Sequence, residues 1–436
     1  MATYRRTSAK DALEFATNLP PRRAVHRGNS TPGALRVGET LMTHANKAFV
    51  WLGLVGTVVA LGATQAKLGA TDRQMVQAPR FEVDPVWPKP MPNHWILGSV
   101  IGVGIDSRDH VFVIHRGDST LNQRTETGMN ANPPISECCQ SAPPIVEFDP
   151  EGNMVKAWGG PSKDKEYDWP SSNHGIAIDD KDNVWIGGNG RVDSHMLKFT
   201  HDGKFLMQIG KPGQAPNSND STHFGRVAKI SFDAKAQEAY VADGYGNKRV
   251  AVVDMKSGAL KRYWGAYGSK PDDANLGPYD PSAPLAKQFR NPVHCAEPTT
   301  DGHVYVCDRP NDRIQVFRKD GQFVKEVRIK PATRGDGSVW DIAFSRDAAQ
   351  KYMYLADGKN EQVYVMDRLS LEVLTSFGDG GRQPGQFFAV HSIATDSKGN
   401  VYTTETYEGK RLQKFAYKGV SSVTRANQGV VWPRRP

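Results

Sequence analysis

Only four cysteines occur in 436 residues, which excludes a small scaffold built on disulfides. No Cys-x-x-Cys pair occurs, so a thiolate zinc site has no footing. A P-loop, a dinucleotide fingerprint and a Ser-His-Asp spacing are also missing; glycine-rich pieces such as IGGNGRV (186–192) read as turns. Gly (42) and Pro (28) are too many for a long-helix protein and too few for a disordered chain. A hydrophobic content of 38%, with 9% aromatic residues, can fill a sizeable core. The length suits two or three domains, or one large all-β domain. The net charge of +8 invites a nucleic-acid reading, so the placement of the charges matters.

One long apolar run stands out, residues 48–66 (AFVWLGLVGTVVALGATQA), without a charge. The segment before it holds eight Lys and Arg against three Asp and Glu, the asymmetry that keeps an N-terminus in the cytoplasm and sends the rest across. About 20 apolar residues span a bilayer, so the run could serve as an uncleaved anchor. It also ends in Thr64-Gln65-Ala66, a pattern suited to signal peptidase, and a start at Met42 would give a signal peptide of ordinary proportions. Either way the expectation is export, periplasmic or secreted, with membrane contact only through this segment. Residues 1–66 carry +5, which leaves +3 for the remainder. Most of the basic balance is therefore topogenic, and a nucleic-acid partner is not expected.

Beyond residue 80 one pattern recurs: an apolar stretch, a Gly/Asp/Asn turn, a second apolar stretch, then two more short strands. It reads HGIAID, turn DKDN, VWIGG, MLKF, turn THDG, KFLMQIG over 174–210. It returns as HCAEP, turn TTDG, HVYVCDR, RIQVF, turn RKDG, QFVKEVRI over 294–328. Strands of this length with turn signals every 8 to 12 residues argue all-β, and a four-stranded unit at a spacing of about 40–55 residues argues a β-propeller. Six units are visible. The sixth lacks a fourth strand, and RFEVDPVWP (80–88) is the candidate to close the ring. The expected organisation is a basic leader (1–47), the apolar run (48–66), a linker (67–79), a six-bladed propeller (80–417) and a tail (418–436). Insertions at 117–143, 211–225 and 268–288, rich in Pro, Asn, Ser and Asp, read as surface loops.

Aligning the first strand of each blade on the turn that follows it places Ile101, His174, Ala228, His294, Trp340 and His391 at one level. Histidine falls on blades two, four and six and on no odd blade. The first strand of a propeller blade lines the central channel, and alternate blades lie 120° apart. Three imidazoles arranged in this way suit a zinc-type ion with an open fourth position. The same register also fits polar channel-liners hydrogen-bonded to neighbouring blades. His115, His195, His223 and His303 lack the register and read as surface or packing residues. The turn after each second strand faces the channel mouth, with His115-Arg116 in blade one, Asp243-Gly244-Tyr245 in blade three and Asp308-Arg309 in blade four. An Arg there can clamp a carboxylate, and a Tyr beside a metal or an Arg can act as a general base.

Several of these segments, HRG at 115–117, NHGIAI at 173–178, DGYGNKRV at 243–250, FRNPVHCA and VYVCDRPNDRIQVF within 289–317, and FAVHSIA at 388–394, carry a resemblance. From about 80 to 417 the chain resembles the NHL-repeat six-bladed propellers, and among them the peptidyl-α-hydroxyglycine α-amidating lyase domain. The resemblance implies a catalytic zinc on His174, His294 and His391. It implies active-site roles for Arg116 and Tyr245, with Arg309 as a further channel Arg. The implied reaction is dealkylation of an α-hydroxyglycine, with Tyr245 taking the hydroxyl proton and an Arg holding the carboxylate. The substrate would be a small molecule or peptide bearing a carboxylate. Two departures stand out. The family follows its third His with an Asp that binds a structural calcium, whereas this chain has Ser392, and the Met two before that His is Ala389; calcium is therefore doubtful. The copper monooxygenase domain that makes the hydroxyglycine in animal enzymes has no counterpart in these residues.

Cys295 and Cys307 flank Asp301 symmetrically, so a hairpin would place them opposite each other, as a disulfide or as two buried thiols. The adjacent Cys138 and Cys139 could join each other, pair with a partner or stay free. Two rival functions remain open: a non-catalytic propeller that binds a peptide or protein, and a metal-dependent hydrolase such as a lactonase. Lactonase propellers place carboxylate and Asn ligands where this chain has His.

Overall fold

Each unit of the repeat forms a four-stranded antiparallel sheet in the computed structural model, which describes residues 74–433. The basic leader and the 48–66 run lie outside the described residues. Among those described, no helix is long and apolar enough to cross a membrane. The innermost strands are Ser99–Ile105, Asn173–Ile178, Val227–Asp233, Val293–Pro298, Asp341–Phe344 and Val390–Thr395, in blades one to six. Each packs beside the next, and the last returns to the first, so six blades close a ring.

Blade six is completed from the other end of the sequence. Met75–Asp84 pairs antiparallel with Arg411–Thr424, placing Phe81 opposite Tyr417 and Val83 opposite Phe415. The pairing runs further than the repeat pattern indicates. Val76 lies opposite Val423 and Gln77 opposite Ser422, inside the stretches read as linker and tail. The physical reason is that neither flank has another ladder to join, and each satisfies the other's backbone N–H and C=O groups.

Both faces of every blade are apolar because each blade is sandwiched between two others. In blade one Val111 and Val113 pack toward blade six, whereas Phe112 and Ile114 pack toward blade two. In blade three Ala239 and Val241 face blade two, and Tyr240 and Ala242 face blade four. The period-2 alternation of a strand thus divides an unbroken apolar run between two interfaces. Six buried clusters result, one in each gap between blades.

The turns have a common device. The Asp179 carboxylate accepts the backbone N–H groups of Lys181 and Asn183, and Asp396 does the same for Lys398 and Asn400. An Asp at this place closes the turn on itself, which explains the recurring Asp-x-x-x-Asn pattern. Cys295 and Cys307 lie directly opposite across their hairpin and are joined as a disulfide; Cys138 and Cys139 are joined to each other.

Candidate metal centre on the propeller axis

In five of the six blades the ladder slips at the residue of the first strand that stands at the histidine level. Ile101, Ala228, His294 and His391 sit at breaks in pairing register, and His174 and Gly175 share the one in blade two. A β-bulge turns its extra residue out of the pleat, and here that residue turns toward the axis. His174, His294 and His391 meet there, with ring centroids 4.8–5.3 Å apart and ligand atoms all within 4.8 Å of one another. All three are buried.

The odd blades orient the even ones. His174 Nδ1 donates to the carbonyl of Ala228 (2.7 Å), His294 Nδ1 to Trp340 (2.5 Å) and His391 Nδ1 to Ile101 (2.6 Å). A carbonyl only accepts, so each Nδ1 carries the proton and each Nε2 is left with a lone pair. Burial pushes all three imidazoles below their ordinary pKa, His391 to about 3, and the Arg309 and Arg116 charges add to it. Three neutral rings that turn Nε2 lone pairs to one point fit a zinc-type ion. Gly175 is fixed by the same contact: a Cβ there would lie 2.7 Å from the Ala228 carbonyl that holds His174.

Above the ring lies Tyr245, its hydroxyl 2.9 Å from His174 Nε2 and 3.2 Å from His294 Nε2. Gly244 lets the chain pass tightly over the backbone of Val293 and deliver Tyr245 to the axis. Arg309 Nη1 comes within 3.5 Å of the Tyr245 hydroxyl, and its guanidinium stacks 4.5 Å over Trp340. Its Nε is buried without a partner among the described residues. It also borders a cleft of about 520 Å³, together with Lys248, Arg290 and Asp336. Arg116 stands apart from this group. It donates to the Asn173 carbonyl and to Asn189 Oδ1 and lines a separate hollow of about 210 Å³. Two residues read as mouth-lining turn away from the channel. Asp243 and Asp308 are fully buried, paired with Arg249 (2.8 Å) and Arg313 (2.7 Å), where they pin the strand ends. His115 is packing, accepting from the Gly98 amide and donating to the Pro143 carbonyl.

The chain is 26% identical over 323 residues to a peptidyl-glycine alpha-amidating monooxygenase of Mus musculus, covering 72% of this chain and 30% of that protein. It is 24% identical over 358 residues to NHL repeat-containing protein 3 of Mus musculus, covering 78% and 85%. With peptidyl-alpha-hydroxyglycine alpha-amidating lyase 1 of Drosophila melanogaster it shares 23% over 410 residues, covering 84% and 67%. Its homologues include NHL repeat-containing proteins and amidating lyases, at low identity. The chain spans less than a third of the length of the monooxygenases it matches. No protein-family model matches. A structural-genomics protein of unknown function from Bacteroides thetaiotaomicron aligns with a TM-score of 0.48 at 13% identity, covering 79% of this chain and 77% of that one.

Beneath the ring the sequence reading missed a second polar layer. Ser392, where the chain departs from the lyase pattern, donates to Asp341 Oδ2 (2.8 Å). The other oxygen of Asp341 meets the ammonium of Lys229 at 2.6 Å, and Glu297 meets it at 2.8 Å. The two carboxylates hold Lys229 above its ordinary pKa against the pull of burial. The chain thus supplies its own cation on the axis. Lys229 and Asp341 directly follow Ala228 and Trp340, so the signal was the residue after the ring position in blades three and five. Lys229→Met would leave the buried Asp341 and the partly buried Glu297 without their cation, and thermal or urea unfolding is expected to show a loss of about 3 kcal/mol. An unchanged midpoint would mean the pair is not buried as described.

Proposed function

We propose that this chain is an exported zinc-dependent lyase that cleaves the N–C bond of an α-hydroxyglycine-type substrate, giving an amide and glyoxylate. One observation carries the reading: the Tyr245 hydroxyl stands within 3.2 Å of two histidine Nε2 atoms and 3.5 Å from Arg309. A ligand set, a proton acceptor and a carboxylate clamp therefore share one site. The low-identity match to amidating lyases supports the same chemistry. Two disulfides support an oxidising compartment, in keeping with the basic leader and apolar run.

His174, His294 and His391 would hold the zinc, which supplies Lewis-acid polarisation of the substrate hydroxyl. The C–N bond breaks with its electron pair going to nitrogen. The Tyr245 hydroxyl passes its proton to that nitrogen and takes up the substrate hydroxyl proton in its place, so the substrate oxygen forms the carbonyl of glyoxylate and the amide leaves neutral. Arg309, with its unpartnered Nε, grips the substrate carboxylate, and the cleft beside it receives the acyl portion. Arg116 adds positive charge on the other side of the site.

Incubating the zinc-loaded chain with a peptide ending in α-hydroxyglycine is expected to give peptide amide and glyoxylate in equal amounts, detected by mass spectrometry. Peptide recovered intact would rule out the lyase. A second reading, a propeller that binds a peptide in the same cleft without cleaving it, draws on the match over 85% of NHL repeat-containing protein 3. Binding of the peptide without turnover would favour it.

A further inference from the structure

The turn between the first two strands of blade one departs from the one that blades two and six share. In blade two Asn183 donates its side-chain amide to Asp179, and the Lys198 ammonium lies 3.3 Å from the same carboxylate. Blade six repeats the Asn, with Asn400 donating to Asp396. In blade one Asp106 still accepts the amides of Arg108 and His110, but the Asn position is His110. The Lys198 position changes as well. Lys198 pairs across the ladder with Trp185, and the residue that pairs with the matching Phe112 is Glu147. A buried carboxylate has replaced an ammonium beside another buried carboxylate.

Two imidazoles converge on this pair. His110 Nδ1 lies 2.6 Å from Glu147 Oε1. His201, from the outer turn of blade two, puts Nε2 3.2 Å from Asp106 Oδ2 and 3.5 Å from Glu147 Oε1. Glu147 is 1% exposed, and its Oε2 has no partner among the described residues. Asp106, His110 and Glu147 hold their ligand atoms within 4.8 Å of one another. The positive charge comes from the half-exposed Arg108, whose Nη2 lies 3.0 Å from Asp106, 3.6 Å from Glu147 and 2.5 Å from His201 Nε2. Since Arg only donates, His201 turns a lone pair toward that point. One guanidinium, reaching in from solvent, balances one of two buried carboxylates.

We propose that Asp106, His110, Glu147 and His201 form a second site for a divalent transition metal of the zinc class, tying blade one to blade two. Two imidazoles and two carboxylates match that donor preference, and the imidazoles select against calcium and magnesium. Arg108 withdraws into solvent as the metal enters. The site stands about five residues down the first strand from the histidine ring, roughly 16 Å away, and takes no part in the chemistry proposed there.

The test is zinc content after exposure to zinc chloride and removal of the excess. It compares the wild type, His391→Ala, and a double variant with His110→Asn and Glu147→Lys, the residues blade two uses at these places. The expected result is two equivalents in the wild type and one in each variant. The double variant should keep its unfolding midpoint in the absence of zinc. Zinc content unchanged in the double variant overturns the proposal, as does a His391→Ala chain that binds none. Were the axial ring to fail instead, the double variant alone would lose all its zinc, and this site would stand without the other.

Discussion

Replacing His391 with alanine is expected to remove one equivalent of zinc per chain and to abolish the proposed hydroxyglycine cleavage, while the propeller stays folded. The three imidazoles reach the axis from blades two, four and six, each locked by a carbonyl of the neighbouring odd blade. Removing one leaves two nitrogens, too few for a tight site of this class. The Ile101 carbonyl loses its donor, a cost of about 1–3 kcal/mol, which a domain with six interblade clusters can bear. His174→Ala should behave alike, because its Nε2 faces the same point. Metal analysis, read beside a thermal unfolding curve, checks the expectation. A full zinc complement in both variants would remove the ring from consideration as a metal site. A second-sphere change makes the argument sharper: Gly175→Ala presses on the Ala228 carbonyl and should weaken zinc binding by about 10–100-fold.

That ring was legible because a hairpin fixes the distance from a strand residue to the turn after it. Counting back from Asp179, Thr299 and Asp396 finds three histidines at one height, and the apolar runs between them disclose the blades. The bulges that turn those residues inward were not legible, since an extra residue in a strand leaves no mark on composition or alternation. Nor was the direction of Asp243 and Asp308. Their position after the second strand suggested the channel mouth, and burial beside Arg249 and Arg313 decided otherwise. The clue lay six and five residues further on, where an Arg waits in each case. Lys229, Asp341 and Glu297 read as ordinary strand residues until the closed ring brought three blades to one axis. His110 and Glu147 acquire meaning only when blade one is compared with blade two, because it is the departure from the repeat that counts.

Tyr245→Phe is expected to lower kcat by about 10²–10⁴-fold with zinc content and KM close to wild type. The substitution removes one oxygen and leaves the ring that covers His174 at 4.7 Å. It removes the group that stands 2.9 Å and 3.2 Å from two ligand nitrogens and 3.5 Å from Arg309, where a substrate hydroxyl would give up its proton. A hydroxyl that merely packed, or merely hydrogen-bonded idle imidazoles, would cost little turnover when lost. An equal fall in kcat and kcat/KM is the signature of an interaction made only in the transition state, whereas a rise in KM alone would assign Tyr245 to binding. A variant that retains the full rate would move the base elsewhere, and Arg309 with Tyr245 would then be left as a substrate clamp without a chemical role.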